Sequence, residues 1–149
     1  MAGPQVASSK AVSREVRYPG LGTVLQLPIV SSTVVFPPAS ISTSEAANVW
    51  RKQLERFFRE ESKGSKYCFL SLREAEKPDN GIRDCIALAE TVANACKITL
   101  ILSDLSGPMR YLLRQKEAKH RVAATWSDGV IELSRGTVPP IRDLRSLAD

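Results

Sequence analysis

The chain has 149 residues, 43% of them hydrophobic and 25% charged, and a net charge of +5. A chain of this length buries roughly 70% of the surface its unfolded form exposes, so one core suffices without disulfide or metal staples. Eight glycines and nine prolines are too few for a fibrous or low-complexity class, and no apolar run approaches the ~20 residues a membrane span requires.

Residues 1–19 read as a flexible leader. They are Ser-rich and carry Lys10, Arg14 and Arg17 against Glu15. The stretch lacks the apolar run of a secretory signal; an organelle transit peptide is the second reading, which Pro4 disfavours by spoiling an amphipathic helix. Pro19-Gly20 signals a turn. Thr23–Val30 is rich in β-branched residues and predicts a strand, placed at an edge because of Pro28. Thr33–Phe36 predicts a second short strand, stopped by Pro37-Pro38.

Ser42-Thr43-Ser44-Glu45 fits a capping box. The helix it opens runs to about Glu61, with Ala46, Trp50, Leu54, Phe57 and Phe58 on one face and Arg51, Lys52, Glu55, Arg56 and Arg59 opposite. Tyr67–Leu72 reads as a buried strand. After the loop around Lys77–Gly81, Ile82, Cys85, Ile86, Ala89, Val92, Ala93 and Cys96 recur at helical spacing. Asn94 is placed as the left-handed residue that closes this helix. Lys97–Ser103 is nearly continuous in apolar and β-branched residues, as expected of a strand covered on both faces. Ser106-Gly107-Pro108 then opens a helix expected to run to about His120. Val122–Trp126 and Val130–Leu133 flank Ser127-Asp128-Gly129, which predicts a hairpin.

The order from residue 66 to 126 is strand, helix, strand, helix, strand, so the crossovers should be right-handed and the strands parallel. The expected fold is α/β: a small mixed sheet with a parallel βαβαβ core, an antiparallel C-terminal hairpin and flexible ends. Residues 20–135 form the domain, and 136–149 a tail. The competing reading is a winged-helix-like α+β arrangement. It leaves too few residues between Ile98 and Ser106 for a strand plus a full helix.

Chemistry is sparse. Cys68, Cys85 and Cys96 are odd in number and sit in apolar stretches, which predicts reduced thiols in the core and an intracellular setting, cytoplasmic or nuclear. The cysteine, histidine and acidic spacings of metal sites are missing, and so are the glycine-rich phosphate loops. His120, the single histidine, lacks a nucleophile elbow to serve and reads as a solvated helix-end residue. No catalytic residue, metal or cofactor is assigned, and the chain reads as non-enzymatic.

Two weaker constellations remain. Asp104, Ser106 and Gly107 follow a strand expected to be parallel, where α/β sheets bind ligands. With Arg110 in the next helical turn, and Arg73 and Asn80 on the preceding loop, they could hold a phosphate-bearing small molecule or nucleotide. Separately, residues 106–121 carry Arg110, Arg114, Lys116, Lys119 and Arg121 against Glu117. On one helix the arginines form a stripe able to follow a nucleic-acid backbone. The sequence therefore points first to a binding or assembly subunit with a protein partner, nucleic acid as a second partner and no membrane. Its alternative is a small enzyme or ligand-binding domain using the 104–110 crevice.

Overall fold

The structure, a computed structural model, describes residues 14–18, 20–38, 44–61, 65–73, 80–115 and 119–146. Seven strands form one sheet in sequential order. They are β1 (Arg14–Tyr18), β2 (Gly22–Leu27), β3 (Ser32–Phe36), β4 (Tyr67–Ser71), β5 (Thr99–Ser103), β6 (Lys119–Ala123) and β7 (Ile141–Asp143). The β3–β4, β4–β5 and β5–β6 pairs are parallel, while β1–β2, β2–β3 and β6–β7 are antiparallel. Between them run α1 (Ser44–Arg56, prolonged by a π-helical turn at Phe57–Glu61), α2 (Asn80–Ala95), α3 (Gly107–Leu113) and α4 (Trp126–Ser134). The expected α/β class with a parallel core is therefore present.

Strand alternation sends side chains to two faces. Val24, Val35, Cys68, Leu70 and Leu102 meet Trp50 and Leu54 of α1, Ile82, Ile86 and Ala89 of α2, and Met109 and Leu113 of α3. Val34, Phe36, Phe69, Ile101 and Ala123 face the other way, against Trp126, Val130 and Leu133 of α4. Trp50 is fully buried, and its indole Nε1 donates to the Leu21 carbonyl at 3.1 Å, which fastens α1 to the β1–β2 turn. Gly22, at φ +108°, lies where a Cβ would overlap the Phe36 carbonyl, so the turn between β1 and β2 needs glycine there.

Several expectations change. Residues 14–18, read as leader, pair with β2, and residues 141–143, read as tail, pair with β6. Pro28 does not mark an edge, because β2 lies between β1 and β3. It follows the last residue of β2 and opens a 3-10 turn, where a missing N–H costs no ladder bond. The residue that closes α2 is Lys97 (φ +59°), not Asn94. Ile98 N donates to Ala93 O at 2.8 Å and Lys97 N to Asn94 O at 3.1 Å, the paired bonds of a Schellman close. The Ser42 cap and the loop 74–79 lie outside the described residues.

The C-terminal third departs most. The helix expected to reach His120 stops at Leu113, and residues 119–123 are strand β6. The hairpin at 122–133 is absent: the Asp-Gly pair lies inside α4. Thr125 caps that helix, its hydroxyl accepting from Asp128 N at 3.0 Å. Gly129 is present for closeness, not for a turn, since a Cβ there would overlap the ring of Phe69. Antiparallel pairing exists at this end, but between β6 and β7 across the length of α4.

Cys68 and Cys85 are buried and Cys96 is half-buried, all three as free thiols. Burial pushes the Cys68 thiol far above its ordinary range, which makes it an inert core group. Among the described residues no helix is long and apolar enough to cross a membrane.

Candidate functional site

The residues expected around an anion crevice follow the carboxyl ends of β4 and β5, and most of them are engaged in holding the fold. Asp104 sits in left-handed backbone at φ +58°. Its carboxylate oxygen Oδ2 accepts from Ser71 Oγ at 2.9 Å and from the backbone N–H of Trp126 at 3.2 Å. One side chain thus ties the end of β5 to β4 and to the first residue of α4. The Ser106 hydroxyl accepts from Met109 N at 3.2 Å, capping α3, and Gly107 is the exposed first residue of that helix. The Arg73 guanidinium lies 5.1 Å from the centre of the Phe36 ring, a cation–π contact. Phe36 in turn meets Trp126 edge to face at 6.4 Å. Asn80 opens α2, and its side chain lies outside the described residues.

The basic stripe is divided among several elements. Arg114 follows the last residue of α3, and its Nε donates to the Leu144 carbonyl at 2.8 Å. Arg121 is on β6, and one of its terminal nitrogens donates to the Pro139 carbonyl at 3.0 Å. These bonds, with Val122 N to Pro140 O at 3.3 Å, fasten the C-terminal segment and seat Leu144 in the core at 1% exposure. Lys119 is exposed at the start of β6, and Lys116 lies outside the described residues. The stripe expected of one helix is thus not a single face, because residues 119–123 are extended to complete the sheet. His120 likewise belongs to β6, not to a helix end, and its Nδ1 lies 2.9 Å from Glu90 Oε2 of α2.

Arg110 stands apart from the other expected crevice residues. It is half-buried on α3 and lines a cavity of about 380 Å³ with Val122, Ala123 and Ala124 from the end of β6, Asp128 and Glu132 from α4, and Pro140 and Arg142. The cavity lies beside the carboxyl end of a parallel strand, the usual ligand position in open α/β sheets, and its volume suits a small molecule. The side chains of Arg110, Asp128, Glu132 and Arg142 form no ion pair with another described residue. Val122, Ala123, Ala124 and Pro140 supply the apolar part of the lining, while Asp128 and Arg142 are exposed and Arg110 and Glu132 half-buried.

A second cavity of about 350 Å³ lies between α2 and β6, lined by Arg83, Asp84, Glu90, Leu113, Lys119 and His120 among others. Three of its polar side chains are engaged: His120 meets Glu90, and an Arg83 terminal nitrogen donates to Leu112 O at 3.3 Å.

Sequence reasoning missed Asp128, Glu132 and Arg142. The first two were hidden by the hairpin reading. Thr125-Trp126-Ser127-Asp128 has the spacing of a helix-opening box and was the signal that could have exposed them. Arg142 reaches the cavity only because β7 pairs with β6, which nothing local announces. No family model, no curated protein and no solved structure matches this chain.

Proposed function

We propose that this protein is a non-enzymatic binding domain for a small molecule that carries both an anionic group, phosphate or carboxylate, and a cationic one. The observation that carries the reading is the cavity beside β6, where two guanidinium groups and two carboxylates share a lining with Val122, Ala123, Ala124 and Pro140 and form no ion pair with described residues. Arg110 and Arg142 supply planar donors suited to an oxyanion. Asp128 and Glu132 supply acceptors for an ammonium. The carboxylates of the lining, Asp128 and Glu132, are read as acceptors for the ligand's cation, which makes the reading one of binding. A small ligand is favoured over nucleic acid because Arg114 and Arg121 are engaged with carbonyls of the C-terminal segment.

The test is a thermal-shift and calorimetric titration with phosphoserine, phosphoethanolamine, glycine and inorganic phosphate. A ligand at about a hundred times its Kd adds about 2.7 kcal/mol of stability, which in a domain of this size raises the Tm by roughly 5–10 °C. The zwitterionic phosphates are expected to give that shift, inorganic phosphate a smaller one, and the Arg110→Ala/Arg142→Ala double variant none. A Tm unmoved by all four compounds at millimolar concentration would overturn the reading.

A further inference from the structure

The two margins of the sheet differ. β7 has three residues, and its Asp143 carboxylate is held by the Arg145 side chain at 2.9 and 3.0 Å. β1 has five residues, Arg14-Glu15-Val16-Arg17-Tyr18, contains no proline, and is bonded to β2 along one side, with no described strand along the other. An uncovered edge presents alternate backbone N–H and C=O groups to any strand that can pair with it.

We infer that β1 pairs antiparallel with β1 of a second copy of this chain, joining two seven-stranded sheets across a two-fold axis at Val16. The strand is self-complementary. Centred on Val16, the pairing sets Glu15 opposite the partner's Arg17, Arg17 opposite the partner's Glu15, and Arg14 opposite the partner's Tyr18. Directly opposed residues share a face, so each Glu–Arg pair meets on one side of the joined sheet. Glu15 and Arg17 are exposed, and neither forms an ion pair with another described residue. Val16 lies opposite Val24 in the ladder, and Tyr18 packs edge-on against Phe57 at 5.2 Å. Val16 and Tyr18 therefore lie on the helix-bearing face.

The neighbouring registers fail. An axis at Glu15 sets two carboxylates against each other, and an axis at Arg17 does the same to two guanidinium groups. An axis between residues would oppose side chains of different faces, which the pleat forbids. Of the registers centred within β1, the one at Val16 brings opposite charges together. This inference is independent of the ligand cavity, which lies at the other end of the sheet.

Sedimentation equilibrium of the full chain at low salt is expected to show a monomer–dimer equilibrium that weakens as salt is raised. Glu15→Arg and Arg17→Glu each place like charges opposite one another and should weaken the dimer by at least about tenfold. Both positions are exposed, so at high salt and low concentration, where the unmodified chain is also monomeric, the melting curves should coincide. An equimolar mixture of the two single variants should recover dimer, as a heterodimer, and the double variant Glu15→Arg/Arg17→Glu should dimerise as the unmodified chain does. A chain that stays monomeric at every concentration overturns the inference. So does a dimer indifferent to either reversal, or a mixture that stays monomeric.

Discussion

The two faces of the sheet are covered by different means. Three helices, α1, α2 and α3, pack on one face around Trp50, Leu54, Ile82 and Met109. Among the described residues one α-helix, α4, covers the other through Trp126, Val130 and Leu133, with Val30 of the 3-10 turn beside it. The asymmetry follows from connectivity. When strands are laid down in sequential order by crossovers of one hand, every crossover helix lands on the same side. The opposite face, with Phe36, Phe69 and Ile101, would then be left to water. The link between β6 and β7 is the described segment that covers it. It does so as a helix even though its Asp-Gly pair favours a tight turn, because burying an aromatic face outweighs a local turn preference.

This contrast can be broken from either side. The largest effect is expected at Trp50. Trp50→Ala removes a fully buried indole and its bond to the Leu21 carbonyl, and should cost about 3–5 kcal/mol in a urea titration, with the whole domain losing protection together. A cost below 1 kcal/mol would show that the three-helix face is not the principal core.

A smaller and more local effect is expected on the other face. Gly129→Leu drives a side chain into Phe69. It should destabilise by about 1–3 kcal/mol, read by hydrogen exchange as faster opening of α4 and β7 while the amides of α2 keep their protection. Equal loss across both faces would mean that they do not open separately.

The smallest effect tests the margin at which α4 hands the chain to β7. The Arg145 side chain and its backbone N–H both donate to Asp143 and hold that carboxyl at about 2, below its ordinary value of 3.8. A carboxyl whose folded value is depressed stabilises the fold above its unfolded value and loses that contribution as pH falls toward the folded one. Stability should therefore decline slightly between about pH 4 and pH 2, and Asp143→Asn should remove this part of the decline. An NMR titration of Asp143 with a midpoint near 3.8 would contradict the bond geometry.

Legibility follows how local each signal is. α2 was readable because Ile82, Cys85, Ile86, Ala89 and Val92 mark one stripe, and β4 and β5 because each is a short apolar run buried on both faces. β6 was readable only at its end: Val122 and Ala123, which pair with β5, fall in the strand expected at Val122–Trp126, whereas Lys119-His120-Arg121 has no strand pattern. Its extended form is imposed by β5 on one side and β7 on the other. The crevice residues suffered similarly. Asp104 and Ser106 could be placed correctly after a strand, yet no spacing reveals that Asp104 is held by Ser71 and by α4.

The sequence by itself determined the elements whose apolar period is self-contained: the helix carrying Trp50, the strand–helix–strand run from Tyr67 to Ser103, and the cap at Ser106. Tertiary structure alone decided that residues 126–134 form a helix, that residues 119–121 extend, and that Arg110 and Arg142 border one cavity. The reason is physical. A helix with a full apolar stripe or a strand with two apolar faces carries its own preference. A segment with neither takes the form that satisfies its neighbours' exposed carbonyls and uncovered aromatic rings.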